Sequence, residues 1–379
     1  MFNDKIVDFL LNSWIGKGFN SILRFINRLI PKRDDQILFE SIPDFSDNPM
    51  QLYNHIKSLN RGYRLHWIVD EIREDIDAPQ YKRNTLGELW QFLRSKYIVT
   101  SHGYHLFLKA KNQVYVNLWH GMPLKAMGYA ENNPRILPPN SNDANYYLIA
   151  TSITMRNALA ACFNQDPRRI HVTGQPRNDK IFKGCSKNLI KRPEYKTIIL
   201  YAPTYRENGS NPILADFDKE RFQNFLREHE ILFIVKFHPL EEAYALEFFK
   251  DMANVILLKD QMLQEHQIDI YDILPCADIL VTDYSSIYFD FLLLDRPIIF
   301  TVPDLEDYRR RRGFILEPYD FWMPGPKVKS FSEFLEEIEK SLKDPGYYLE
   351  ERKTINDLVN HYKDDRSSER VYKLVWGRL

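Results

Sequence analysis

The chain of 379 residues contains little cysteine: Cys162, Cys185 and Cys276 lie far apart and form no C-x-x-C pair. This usage is typical of a reducing compartment and predicts neither a disulfide framework nor a thiolate metal site. The ten histidines include no H-E-x-x-H or other metal-ligand spacing. We therefore expect no bound metal and no cofactor.

Net charge and long apolar runs are also missing. The formal net charge is −1, so no basic field attracts nucleic acid. No run approaches the roughly 18 uncharged apolar residues of a membrane span. Apolar side chains are nevertheless plentiful, at 44% of residues, and 14% of residues are aromatic. With this length, they predict about two packed domains.

The N-terminal segment, residues 2–33, combines apolar residues at helical spacing with scattered lysine and arginine. Gly16 and Gly18 interrupt it, and it lacks the short apolar core and cleavage site of a signal peptide. The pattern predicts amphipathic, cationic helices that lie in a membrane interface. The alternative is a helix packed on the body of the protein.

From residue 36 onward, short apolar runs alternate with helical patterns. Strands are predicted at 37–41, 65–69, 97–100, 114–118, 146–150, 170–173, 198–202, 232–236, 255–258, 279–281 and 298–300. Helices are predicted between them, and over 330–342 and 349–379 in the tail. Such alternation predicts parallel sheets covered by helices on both faces. A polar stretch over 183–196 predicts two Rossmann-like domains that face a cleft, residues 34–185 and 186–379, after an N-terminal segment over 1–33.

The strand predicted to end at Val281 is followed by small polar residues, Thr282, Asp283, Ser285 and Ser286, which open a helix predicted to reach residue 294. A helix N-terminus presents free backbone N–H groups and the positive end of a dipole. With two serine hydroxyls, it can bind phosphate. The alternative is an ordinary helix cap.

Further polar clusters follow other predicted strands. His120 precedes a Gly121 turn and can take a proton from a hydroxyl, although a lone histidine is more often structural. Lys236 and His238 alternate on one face and can address an anion, and Arg206 has the fork that suits phosphate. Because ligands bind beyond the carboxyl ends of such strands, these clusters together favour a nucleotide diphosphate site.

A run of four arginines, Arg309, Arg310, Arg311 and Arg312, has two interpretations. Charge runs are usually solvated surface. Close to a phosphate site, the run can instead hold an anionic acceptor or a lipid headgroup.

Taken in chain order, these segments resemble the CDP-glycerol glycerophosphotransferase family, which includes teichoic-acid primases and polymerases and related capsule enzymes. The motifs that carry the resemblance lie within residues 95–345. They are Trp119-His120-Gly121 with Pro123 and Lys125, Gly174 with Pro176-Arg177 and Asp179, Ala202-Pro203-Thr204-Tyr205-Arg206, Lys236-Phe237-His238-Pro239, Ala277-Asp278, Thr282-Asp283-Tyr284-Ser285-Ser286, Asp295-Arg296-Pro297, Arg312-Gly313-Phe314 and Pro324-Gly325-Pro326.

The resemblance implies an α/β, GT-B-like fold and peripheral association with the cytoplasmic face of the bacterial cell membrane. It implies transfer of glycerol phosphate from CDP-glycerol to a hydroxyl of a lipid-linked saccharide acceptor, with release of CMP. His120 is then the general base, and His238 contacts the donor pyrophosphate. The other donor-binding residues implied are Thr204, Arg206, Lys236, Thr282, Asp283, Ser285 and Ser286. The acceptor-binding residues implied are Lys125, Arg177, Arg309, Arg310, Arg311 and Arg312.

Two features qualify the resemblance. His102 lies in a turn where the family pattern has an acidic residue. The chain is also little longer than the catalytic core, which favours a primase-like enzyme over a polymerase. The alternatives are a CDP-ribitol or other CDP-polyol transferase, a GT-B glycosyltransferase that uses a nucleotide sugar, and a non-catalytic nucleotide-binding protein. The strand-end histidines argue against the last, since a binding module needs no base.

Overall fold

A computed structural model of the protein describes residues 14–131, 143–185, 195–206, 214–266 and 268–377. The chain forms two compact units. Unit 1 comprises the described residues of Met1–Gly121, Met127–Asp179 and Arg366–Leu379, and unit 2 those of Met122–Ala126 and Lys180–Asp365. The end of the chain, which the sequence pattern placed in the second domain, thus belongs to unit 1.

Unit 1 contains a parallel sheet in the order β3-β2-β1-β4-β5-β6-β7. Its strands are β1 (Arg33–Glu40), β2 (Arg64–Val69), β3 (Gln80–Lys82), β4 (Ser95–Thr100), β5 (Val114–Asn117), β6 (Tyr146–Ala150) and β7 (Ile170–Val172). The strand order reverses between β1 and β4, which pair directly. In open parallel sheets, ligands bind beyond the carboxyl ends of the strands at such a reversal.

Unit 2 contains a second parallel sheet in the order β10-β9-β8-β11-β12-β13. Its strands are β8 (Thr197–Tyr201), β9 (Ile231–Val235), β10 (Val255–Leu257), β11 (Ile279–Thr282), β12 (Ile298–Thr301) and β13 (Lys327–Val328). Here the order reverses between β8 and β11. Each unit therefore has one Rossmann-type reversal, and the predicted α/β, GT-B-like fold class is confirmed.

Helices follow most of the strands. In chain order they are α1 (Trp14–Leu29), α2 (Asp47–Leu59), α3 (Leu86–Arg94), α4 (Ile153–Phe163), α5 (Lys219–Glu228), α6 (Glu242–Phe248), α7 (Asp260–Glu265), α8 (Ile270–Ile273), α9 (Ile287–Phe291), α10 (Leu305–Arg311), α11 (Tyr319–Trp322), α12 (Phe331–Lys343), α13 (Leu349–Val359) and α14 (Ser367–Trp376). The tail helix predicted over 349–379 is two helices, because the chain leaves α13 at Asn360 in an extended conformation.

The central strands are apolar and buried, as parallel sheets covered on both faces require. In unit 1, Phe39 and Trp67 belong to a core cluster that also includes Trp376 of α14. In unit 2, Phe233 and Val281 belong to a corresponding cluster. The return of α14 to the first core explains why the chain end lies in unit 1.

One expectation from composition is wrong. Cys185 and Cys276, 91 residues apart in sequence, form a disulfide. Spacing along the chain did not indicate this pair because the contact depends on the folding of unit 2, where Cys276 ends the short turn Leu274–Cys276. Cys162 is free and buried.

Within the described ranges, no helix is long and apolar enough to cross a membrane. Of the amphipathic segment predicted over 2–33, residues 2–13 lie outside the described residues. Residues Trp14–Leu29 form α1. Its apolar residues Phe25 and Leu29 are 60% and 67% exposed, whereas Asn27 is fully buried. The Asn27 amide donates to the Leu108 carbonyl at 2.8 Å. The polar side of α1 therefore faces unit 1, and the apolar side faces outward.

Candidate active site

The reversal point of the second sheet is occupied by a buried ion pair. Arg206 follows β8 and Asp283 follows β11, and Arg206 Nη1 lies 2.8 Å from Asp283 Oδ2. Asp283 Oδ1 accepts hydrogen bonds from the backbone N–H of Thr204 at 2.8 Å and of Tyr284 at 2.5 Å. The carboxylate thus ties together the loops that leave the two strands.

Arg206 makes further contacts that sequence reasoning missed. Its Nε donates to Asp304 Oδ2 at 3.0 Å, and its guanidinium lies over the rings of Tyr284 and Tyr308 at 5.0 and 5.3 Å. Burial opposes the charge of Arg206, but Asp283 and Asp304 outweigh it and raise the pKa above its ordinary value. This network makes Arg206 a fixed, permanently charged part of the loop scaffold.

The hydroxyl groups in the same place differ in what they contact. Thr282 donates to the Ala202 carbonyl at 2.7 Å and so serves the sheet. Thr204 Oγ1 is buried and has no hydrogen-bond partner among the described residues. Ser285 and Ser286 are half-buried just before α9, which is shorter than predicted and continues as the turn Leu292–Leu294. Thr204 and the two serines are the hydroxyls best placed for a ligand.

The two cationic residues after β9 are held in different ways. Lys236 Nζ lies 2.7 Å from Asp260 and 3.3 Å from Glu242, so its charge is already neutralised. His238 is exposed, and its Nδ1 accepts from the Leu240 N–H at 3.3 Å. That bond assigns the ring proton to Nε2 in the neutral form. Partial desolvation by the neighbouring protein and the charge of Lys236 lower the pKa of His238 below its ordinary value.

Lys125 belongs to unit 2, where its segment forms a bridge with Phe314. No carboxylate among the described residues lies within ion-pair distance of its ammonium group, unlike that of Lys236. Burial lowers the pKa of Lys125 to about 8, with Asp283 opposing the change and Arg312 and Arg206 adding to it. An ammonium with no carboxylate at ion-pair distance in this part of the structure can bind an anion.

Arg309, Arg310 and Arg311 make ion pairs close to their own helix. Arg309 lies 3.4 Å from Glu306 and from Glu317, and Arg311 lies 2.9 Å from Asp307. Arg310 is 3.6 Å from the same aspartate. Arg312 is exposed just beyond α10. These contacts agree with the solvated-surface interpretation of the run, although they leave guanidinium groups at the surface.

In unit 1, His120 is carried by an irregular turn three residues after β5. Trp119 has φ 53° and Gly121 has φ 155°, so both adopt positive values. Arg177 Nη1 donates to the His120 carbonyl at 2.7 Å and to Asp47 at 3.0 Å. Arg177 therefore holds the backbone of the His120 turn, and the structure brings these two predicted residues together.

A second histidine, His102, lies against His120. The two imidazole rings stack with centroids 4.3 Å apart and an angle of 11°. His102 follows β4, at the reversal point of the first sheet, where Thr100 donates to the buried Glu40 at 2.5 Å. Arg83 in turn donates to Glu40 at 3.0 Å. Sequence reasoning noted His102 but not this polar network.

The Gly174–Asp179 motif has a structural explanation in unit 1. Both Asp179 oxygens accept backbone N–H groups at the start of α14, from Ser367 and Ser368 at 2.8 and 2.9 Å. Gly174 has φ 79°, and a Cβ there would lie 2.5 Å from Ser367 Oγ. This motif therefore docks the last helix. Among the described residues, no group of acidic, histidine and cysteine side chains could hold a metal ion.

Comparisons with known proteins give one family over most of the chain. A model of the CDP-glycerol:poly(glycerophosphate) glycerophosphotransferase family matches residues 22–377. The teichoic acid poly(glycerol phosphate) polymerase of Bacillus spizizenii is 31% identical, covering 95% of this chain and 96% of that protein. The teichoic acid glycerol-phosphate transferase of Staphylococcus aureus is 27% identical over 90% of this chain and 92% of that protein. The solved structure of the wall teichoic acid polymerase TagF gives a TM-score of 0.77 at 21% identity, covering 98% of this chain and 95% of that chain.

Proposed function

The chain belongs to the CDP-glycerol:poly(glycerophosphate) glycerophosphotransferase family, and on that premise we propose that it transfers glycerol phosphate from CDP-glycerol to a hydroxyl of a lipid-linked saccharide, releasing CMP. It is a CDP-polyol phosphotransferase of the teichoic-acid type. The observation that carries the proposal is the extent of the family match. Residues 22–377 include His120 in unit 1 and His238 in unit 2.

The proposed reaction is an in-line displacement at the phosphorus that bears glycerol. The acceptor oxygen bonds to this phosphorus, the bond from phosphorus to the bridging oxygen breaks, and CMP leaves with that oxygen. The acceptor proton passes to His120 and then to solvent. Such phosphoryl chemistry needs positioning and charge neutralisation rather than a covalent intermediate.

We assign the donor to the reversal point of the second sheet. Thr204, Ser285, Ser286 and the Nε2 proton of His238 are placed to donate hydrogen bonds to phosphate oxygens. Lys125 supplies a positive charge with no carboxylate at ion-pair distance in the described ranges. Its location in unit 2 favours a donor role over the acceptor role expected from sequence. Arg206, Asp283, Thr282 and Lys236 fix the loops through their internal contacts.

We assign the acceptor hydroxyl to His120, whose turn Arg177 holds. Arg309, Arg310, Arg311 and Arg312 stay proposed contacts for an anionic acceptor or headgroup. The length of the chain no longer favours a primase, because it covers 96% of the Bacillus spizizenii polymerase. We keep the addition of one or a few units as the proposal to be tested.

We also propose that the protein associates with the cytoplasmic face of the cell membrane through its N-terminal segment. The support is the orientation of α1, which buries Asn27 and exposes Ile22, Phe25 and Leu29. Arg24 donates to the Phe107 carbonyl at 2.7 Å, which helps to hold the polar side inward. An outward apolar face is what an interfacial helix presents to lipid. The alternative, in which the helix packs on the body of the protein, accounts for the contacts of the polar side of α1 but not for its exposed apolar side.

The proposal is tested by incubating the full chain with a lipid-linked disaccharide and one donor at a time. CMP and one added glycerol phosphate from CDP-glycerol support the proposal, and a ladder of products makes the enzyme a polymerase. If only CDP-ribitol yields CMP, the polyol of the donor is ribitol and not glycerol. If no CDP-polyol yields CMP but a nucleotide sugar yields a nucleoside diphosphate, the enzyme is a glycosyltransferase and the proposal is wrong.

A further inference from the structure

The stacked pair His102 and His120 carries an inference about how the proposed base is controlled. The rings are almost parallel, at 11°, with centroids 4.3 Å apart. At this distance, two positive charges repel strongly, whereas one charged ring over a neutral one is a favourable contact. A proton on one ring therefore disfavours a proton on the other, and the two titrations are linked.

Hydrogen bonds hold the turn that carries His102. Its Nδ1 lies 2.7 Å from Ser101 Oγ, within hydrogen-bond distance. Its backbone N–H donates to Thr100 Oγ1 at 3.1 Å, and that hydroxyl donates to the buried Glu40. These contacts fix the position of the turn that carries His102, and the same Thr100 oxygen accepts the Tyr104 N–H at 3.3 Å.

Charged groups reach His102 from three elements. Glu40 at the end of β1 and Asp47 at the start of α2 favour a proton on the ring, and Arg83 beyond β3 disfavours it. Desolvation by the surrounding protein outweighs the carboxylates and lowers the pKa of His102. The side chain of His102 is exposed at its edge, and the lowered pKa favours its neutral form.

We propose that His102 is a positioning residue for His120: its neutral ring holds the His120 imidazole in place and stabilises the imidazolium that forms when His120 takes the acceptor proton. The inference rests on the proposed function, since it needs His120 to be the base. The proton moves from the acceptor oxygen to His120, and His102 gains and loses none. Phenylalanine, which has a flat apolar ring, should therefore replace His102 in part, whereas alanine, which has only a methyl group, should not.

The kinetic test compares His102→Ala, His102→Phe, His120→Ala and the double variant His102→Ala/His120→Ala in the full-length enzyme. His361→Ala, an exposed histidine of unit 2, is the matched control. We expect His102→Ala to lower kcat about 10-fold with donor KM unchanged, and His102→Phe to restore most of it. The double variant should be no slower than His120→Ala alone, because the two residues act as a unit.

The acid limb of the profile of kcat/KM against pH provides a readout that a merely structural role of His102 would not change. Loss of the ring should lower the apparent pKa of the base by roughly half a pH unit, the size of an exposed cation–π contact. His102→Phe should keep the limb of the wild type. The proposal would be overturned if the losses in kcat were additive in the double variant. It would also be overturned if the acid limb did not move in His102→Ala and His102→Phe lost as much kcat as His102→Ala. Thermal unfolding of each variant separates these results from misfolding.

Titration of the histidine C–H resonances by NMR gives a readout without turnover. We expect His102 to titrate below His120, and the pKa of His120 to fall in His102→Ala but not in His102→Phe. If His102 titrates above His120, the proposal is wrong even in an active enzyme. If the pair titrates as expected but no CDP-polyol yields CMP, the proposed function fails while the coupling of the rings stands.

Discussion

Arg206 and Asp283 form an ion pair with Nη1 and Oδ2 2.8 Å apart, and only 6% and 0% of the two side chains is exposed. The two residues follow β8 and β11, the strands between which the order of the second sheet reverses. In a parallel sheet, a crevice forms at the carboxyl ends of the strands where their order reverses, and here the ion pair joins the two loops at this crevice. The ion pair therefore holds in place the loops that carry the hydroxyls proposed to bind the donor.

Arg206→Met should destabilise the protein by about 3–5 kcal/mol, because it leaves the buried Asp283 carboxylate without its charged partner. Urea unfolding at pH 7 measures the loss. Arg309→Met is the matched control, since its pairs are at the surface and should be worth at most about 1 kcal/mol. Equal losses in the free energy of unfolding for the two variants would show that the buried pair stabilises the fold no more than a surface pair does.

Lys125 should make donor binding sensitive to alkaline pH. The pKa of Lys125 is lowered to about 8, so its ammonium is lost as pH rises through that value, and donor KM should then increase. Lys125→Arg stays charged and should remove this increase, whereas Lys125→Met should have a high donor KM at every pH. A donor KM that rises equally in wild type and Lys125→Arg would exclude Lys125 as the cause.

The alkaline loss of affinity should not reflect loss of fold. In the folded protein, the pKa of Lys125 lies below the ordinary value of 10.5, so the folded state binds fewer protons between pH 8 and 10.5. Stability arising from this group therefore increases over that range. Unfolding curves at pH 7.5 and 9 provide the control.

Thr204→Val tests the buried hydroxyl for which the described part of the chain offers no hydrogen-bond partner. Removing an unsatisfied buried hydroxyl should leave stability unchanged or slightly higher. Donor KM should rise by about 10- to 100-fold if Thr204 Oγ1 donates to a phosphate, the worth of one hydrogen bond to a charged group. Thr282→Val is the matched control: its hydroxyl bonds Ala202, so it should lose stability instead. An unchanged donor KM in Thr204→Val would remove Thr204 from the donor site.

The outward face of α1 should control binding to membranes. Phe25→Glu with Leu29→Glu should lower partition onto anionic vesicles at least about 10-fold, because two large apolar side chains no longer enter the interface. Thermal stability should hardly change, since both residues are mostly exposed. Leu246→Glu, which replaces an exposed leucine of α6, should bind vesicles like wild type. Unaltered partition of the α1 variant would contradict membrane binding through this helix.

The fold was largely predictable because buried parallel strands leave a simple apolar pattern. The runs ending near Thr100, Asn117 and Thr282 were all found, whereas the short strands Gln80–Lys82 and Lys327–Val328 carry too few apolar residues to be recognised. Helix α9 is shorter than predicted because its pattern does not distinguish an α-helix from the tighter turn that follows.

The site was less predictable because its contacts join distant segments. Arg206 looked like a phosphate ligand, but its partner Asp304 lies 98 residues away and nothing local indicates the pairing. Asp179 was recognised only as part of a motif shared with the family, and it caps a helix 188 residues later. The disulfide between Cys185 and Cys276 was missed for the same reason. The sequence identified which residues are special, but not which are already satisfied by one another.

The central claim is that phosphorus moves together with glycerol, and one labelling measurement tests it most directly. CDP-glycerol carrying ³²P in the phosphate next to glycerol is incubated with the enzyme and a lipid-linked disaccharide, and label is followed by chromatography. We predict label in the acceptor lipid and unlabelled CMP, with His120→Ala about 10²- to 10⁴-fold slower. Label left in CDP, with glycerol alone on the acceptor, would contradict phosphotransfer.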